Sequence, residues 1–79
     1  MLNVTEKRIM TAIVADCDEI EGWGFTRVGS MVNAAVDVID GNYQRVGGYI
    51  TDLIHKGLIE ADLTSDEVWI APEVFEAYC

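Results

Sequence analysis

Apolar residues recur along this chain at helical spacing up to Gly57 and at strand spacing after it. Ile9, Met10, Ile13, Val14 and Cys17 share one helical stripe, which predicts a helix over about 6–18 with Thr5 as its N-cap. Asp16, Asp18, Glu19 and Glu21 crowd its far end, where carboxylates oppose the helix dipole, so fraying is expected near 18–20. Gly22-Trp23-Gly24-Phe25 then reads as a loop whose two rings plug the end of the core. Thr26 can cap a second helix at 27–39, with Val28, Met31, Val32, Ala35, Val36 and Ile39 facing inward. Asp40-Gly41-Asn42 is strong turn chemistry.

The third helix is expected at 43–56. Val46, Ile50, Leu53 and Ile54 mark its apolar face, Lys56 sits in its last turn, and Gly57 supplies a left-handed stop. Residues 58–63 then alternate as a strand, Thr64-Ser65-Asp66 turns, and residues 67–71 return. Pro72 suits the first position of a last short helix at 73–78, with acidic residues near its favourable end.

At 79 residues, 51% of them hydrophobic, the chain has room for one domain with a modest core. It has no apolar run of the ~20 residues that span a bilayer, and Met1 to Arg8 lack the order of a signal peptide, so no membrane partner and a cytoplasmic location are expected. Cys17 and Cys79, the only cysteines, are expected to be free thiols, Cys17 as a small core residue. Fourteen acidic against five basic residues make a net charge of −9, which repels nucleic acid and favours basic partners.

The segment Val46-x-x-x-Ile50-x-x-Leu53-x-x-x-Gly57-Leu58-Ile59, with the ending Trp69-Ile70-Ala71-Pro72-Glu73, resembles the winged helix-turn-helix domains of bacterial and phage regulators. The resemblance runs over about residues 5–78. It implies a mainly α fold with a small β-hairpin (α+β): three helices, a two-stranded wing and a short C-terminal helix. It also implies a small regulator that binds double-stranded DNA through the third helix, with a homodimer as one way to double a weak basic footprint. The candidate DNA contacts are Arg27, Tyr43, Gln44, Arg45, Gly47, Gly48, Thr51, His55 and Lys56. Gln44 suits adenine and Arg45 guanine or phosphate, while Tyr43 and Arg27 suit the backbone near the turn.

Two features depart from the DNA-reading pattern. Gly47 and Gly48 stand where such helices carry base-reading side chains, and they cost the helix roughly 2 kcal/mol against alanine. A close approach is expected to offset that cost, made by the first helix, by DNA or by a protein. The wing presents Glu60, Asp62, Asp66 and Glu67, which repel phosphate.

The competing expectation is therefore a protein-interaction module without DNA binding: a phage-type inhibitor, or a subunit that binds a basic nucleic-acid-binding partner. Its candidate surface is Trp23, Phe25, Glu60, Asp62, Asp66, Glu67, Trp69 and Tyr78. Plain solubility also accounts for an acidic surface. No nucleophile–base pair, phosphate loop or metal motif is present, so no catalytic residue, metal or cofactor is expected. Asp16-x-Asp18-x-x-Glu21-Gly22 lacks the ligand set of a calcium loop.

Overall fold

A computed structural model describes residues 2–79. The first helix, α1, spans Val4–Asp16, two residues earlier than the expected 6–18. Asn3, not Thr5, is its N-cap. The Asn3 side chain accepts from the Glu6 backbone N–H at 2.8 Å, and Glu6 Oε1 accepts from the Asn3 N–H at 3.0 Å, a complete capping box. Its other oxygen accepts from Lys56 Nζ at 2.7 Å, although only 5% of Glu6 is exposed. One carboxylate thus fastens the start of α1 to the end of the third helix.

Where the loop was expected, the chain forms a hairpin. β1 (Asp18–Ile20) and β2 (Trp23–Thr26) pair antiparallel, with Ile20 opposite Trp23. Between them Glu21 and Gly22 have φ of 51° and 89°, and a two-residue loop of this hand matches the natural twist of paired strands. The second helix, α2 (Val28–Val38), is not capped by Thr26, whose hydroxyl donates to Asp16 Oδ2 at 2.8 Å. Its first N–H, on Val28, donates instead to Asp66 Oδ1 at 2.9 Å, so a carboxylate from a distant turn stands at the positive end of α2.

The turn at 39–42 leads into α3 (Tyr43–His55), with Asn42 as a side-chain cap. Gly57, at φ 79°, ends it as expected. Leu58 N–H donates to Leu53 O and Gly57 N–H to Ile54 O, the paired bonds of a Schellman stop. β3 (Glu60–Asp62), β4 (Glu67–Ile70) and α4 (Pro72–Tyr78, with Pro72 in its first turn) complete the chain.

The fold is α+β, with one antiparallel sheet of order β1-β2-β4-β3 rather than an isolated two-stranded wing. Its inner face closes on a core of Ile9, Met10, Ile13, Val14, Met31, Ala35, Val36, Val46, Ile50, Leu53, Ile59, Val68 and Ile70. Ile54, expected on the apolar face of α3, is 37% exposed. Cys17, which lies beyond the helix, and Val28, Val32 and Ile39 are half-buried against the core rather than inside it.

Gly24 makes the inner face close. A Cβ at Gly24 would lie 2.5 Å from the Phe75 ring of α4, so the absent side chain is the space that ring occupies. Gly24→Ala should therefore lower stability by about 1–3 kcal/mol, measured by denaturant unfolding. A midpoint equal to wild type would show that Phe75 moves aside freely.

The Glu6 carboxyl is held below the ordinary carboxylate range, first by the Lys56 hydrogen bond and then by the Asn3 backbone N–H. A carboxyl with a depressed folded value stabilises the fold above its unfolded value, and this contribution is lost as pH falls through the folded one. Glu6→Gln should accordingly flatten the fall of thermal stability on acidification below the ordinary carboxylate range. Identical slopes for the two proteins would show that this ion pair does not couple folding to protons.

Candidate functional site

Side chains opposite one another in an antiparallel pair share a face, and alternate residues of a strand take opposite faces. Burial of Gly24, Thr26, Val68 and Ile70 therefore puts Trp23, Phe25, Glu67 and Trp69 on the outer face of the sheet. The register extends this to the flanking strands. Asp18 lies opposite Phe25, Phe25 opposite Trp69, and Trp69 opposite Glu60, so one row across the sheet reads acid, aromatic, aromatic, acid. Asp62 opposite Glu67 and Ile20 opposite Trp23 belong to neighbouring rows.

The rings are in contact. Phe25 and Trp69 centroids lie 4.6 Å apart, and Trp23 meets Trp69 edge-on at 6.3 Å and 85°. Trp23 and Phe25 therefore do not plug the core end, because the strand alternation turns both outward. Trp23 is 36% exposed and Ile20 44%. Trp69 Nε1 donates to Glu67 Oε1 at 3.3 Å. Ile20, Glu21, Trp23, Glu60 and Trp69 line an open groove of about 390 Å³.

Of the eight residues in the protein-interaction set, Trp23, Phe25, Glu60, Asp62, Glu67 and Trp69 thus lie on one face. Asp66 sits at the hairpin turn as the cap of α2, and its backbone carbonyl accepts from Arg27 Nη1 at 3.3 Å. Tyr78 lies elsewhere, lining a groove with Leu2, Lys7, Lys56 and Leu58. Ile20, Asp18 and Glu21 also belong to the patch and were missed. Their signal was the Glu21-Gly22 turn between two alternating runs, obscured by the density of acidic residues.

The two arginines and the lysine of the DNA-contact set are engaged within the chain. The Arg27 guanidinium lies 5.1 Å above the Phe25 ring centroid. Arg45 donates to Tyr49 Oη at 3.0 Å, with its guanidinium carbon 5.6 Å from that ring's centroid. Lys56 is paired with Glu6. Tyr43 Oη bonds Asn33 Oδ1 at 3.2 Å. Gln44, Gly47, Gly48, Thr51 and His55 are exposed along α3, and Asp52 is the carboxylate exposed beside them.

Known protein families, characterised proteins and solved structures contain no match to this chain. Among the described residues no three His, Cys, Asp or Glu side chains gather as a metal site, and no helix is long and apolar enough to cross a membrane. Burial, and then Asp16 and Asp18, push the Cys17 thiol up to about 11, so it stays protonated at neutral pH and is a poor nucleophile.

The expected packing of α1 against Gly47 and Gly48 is absent. A Cβ at either position meets nothing within 4 Å, because both glycines face away from the core. Among the described residues no close contact offsets their helix penalty. Gly47→Ala and Gly48→Ala should each raise stability by about 0.5–1 kcal/mol in thermal or denaturant unfolding. A loss of stability in either variant would contradict the open helix face described above.

Proposed function

We propose that this chain is an acidic winged helix domain that binds a basic protein segment through the outer face of its sheet. The order helix, helix, tight turn, helix, hairpin, short helix supports the winged helix reading, and the turn at 39–42 has the length a helix-turn-helix needs. The observation that carries the binding mode is the row Asp18–Phe25–Trp69–Glu60, which sets aromatic anchors between carboxylates on a solvent-facing surface. Net charge supports it too, since a field of −9 draws basic partners in and slows the approach of nucleic acid.

DNA binding through α3 is the second reading, favoured by the exposed stripe of Gln44, Gly48, Thr51 and His55 with Arg45 beside it. Against it, the side chains that would meet phosphate first, Arg27, Arg45 and Lys56, would have to leave partners they already hold.

The two readings use different surfaces, so one experiment separates them. Binding of a mixed Lys/Arg peptide and of mixed-sequence duplex DNA is measured by fluorescence anisotropy across a salt series. The peptide should bind, and Glu60→Lys with Asp62→Lys should weaken it about tenfold or more, while Gln44→Ala with Arg45→Ala leaves it unchanged. DNA should not bind below ~100 μM at physiological salt. DNA binding in that range that is lost in the Gln44/Arg45 variant would transfer the function to α3. Failure of the peptide to bind at low salt would remove the sheet-face reading.

A further inference from the structure

The groove at one end of the outer sheet face has a more specific chemistry than its charge. Trp23 and Trp69 stand at 85° to one another and form a corner of two indoles. Glu60, opposite Trp69 on the edge strand β3, and Glu21, in the hairpin turn, line the same groove. A cation entering it meets indole π surface and carboxylate together, and the π-faces of indoles are the strongest aromatic partners for cations.

The chain already displays this recognition on the same face. Arg27 lays its guanidinium over Phe25 at 5.1 Å, held by the Asp66 carbonyl, and Phe25 packs against Trp69. A guanidinium is planar, weakly hydrated and able to bond a carboxylate through two parallel N–H groups, whereas an ammonium is a compact, strongly hydrated point charge. The corner of two rings beside a carboxylate suits the former.

We propose that the Trp23–Trp69 groove is a receptor for one arginine side chain of a basic partner protein, with one indole stacking on the guanidinium, the other walling the groove, and Glu60 pairing with it. This rests on the reading of the outer sheet face as a protein-binding surface. The occupant is an arginine-bearing segment; charge complementarity with Glu21 and Glu60 favours it over an apolar peptide or a second copy of this acidic chain.

The test compares oligo-arginine and oligo-lysine peptides of equal length on the full chain, by anisotropy, with the two indole N–H resonances followed by NMR. Oligo-arginine should bind about 2–5-fold more tightly. Both indole resonances should shift, and Trp23→Leu, at a partly exposed position outside the core, should abolish the preference. Glu60→Gln, on an exposed edge strand, is the second variant and should weaken oligo-arginine more than oligo-lysine.

Equal binding of the two peptides, both weakened by Glu60→Lys with Asp62→Lys, would overturn the arginine site and leave the sheet-face reading standing. So would an arginine preference that survives in both Trp23→Leu and Glu60→Gln. Binding of neither peptide at low salt would overturn both. Indole resonances that stay fixed while oligo-arginine binds would place the peptide elsewhere and likewise overturn the site.

Discussion

The pairing of β2 with β4 is the constraint on which both faces of the sheet depend. It joins the segment between α1 and α2 to the hairpin that follows α3, and its register puts Gly24 beside Ile70 and Thr26 beside Val68. Those residues are buried, so strict alternation leaves Trp23, Phe25 and Trp69 no inward position. Gly24 lets Phe75 of α4 close over the inner side. A slip of one residue would bury two aromatics where there is space for none and expose the strand residues that complete the core. Exposure of large rings is therefore a consequence of how the core closes, and the outer aromatic face and the fold share one cause.

Three further ties cross-link the elements around that pairing, and each uses a charged group as structure. Glu6 completes the capping box of α1 and pairs with Lys56 at the end of α3. Asp66 caps α2 from the hairpin turn. Asp16 accepts from Thr26 and Ser30, fastening the end of α1 to the start of α2. At a helix start, as with Glu6 and Asp66, a carboxylate both satisfies an orphan N–H and complements the dipole, while Asp16 instead gathers two hydroxyls, so each acid has a local reason to be where it is. The carboxylates on β1 and β3 have a different one. Both edge strands are three residues long and rich in acids, a pattern that discourages edge-to-edge pairing between copies.

The helices were largely legible because their information is periodic. The stripes Ile9–Met10–Ile13–Val14 and Val46–Ile50–Leu53, the stop at Gly57 and the start at Pro72 all stand where the apolar spacing and helix-end chemistry put them. The errors came where a local signal competed with a tertiary one. Thr5 is a good N-cap residue, but Asn3 with Glu6 three positions on is a complete capping box, and Lys56 reinforces it from fifty residues away. Thr26 has cap chemistry too, but its hydroxyl is taken by Asp16 while Asp66, distant in sequence, supplies the cap. The β1–β2 hairpin was hidden by glycines and acids, both poor strand formers, although Glu21-Gly22 is a workable two-residue turn. The aromatic patch was named residue by residue, yet its unity depends on a register that only strand pairing defines.

The cations of the helical side are not free to meet a phosphate without cost. An arginine stacked on a ring still carries its charge, so Arg27 and Arg45 are not neutralised, but their guanidiniums must leave a bonded geometry before they can reach a phosphate. Lys56 must also abandon a carboxylate that is almost wholly buried, and an unpaired buried charge is strongly unfavourable. Gain from counterion release on DNA would thus be opposed at Arg27, Arg45 and Lys56 by the loss of an internal contact. The outer sheet face carries no comparable penalty. Among the described residues Glu60 has no ion pair to break, and the rings around Trp69 already hold one another in place, so little side-chain entropy remains to be lost on binding. The α+β frame thus leaves a preorganised acidic–aromatic face on its sheet beside arginines and a lysine that already hold partners within the chain.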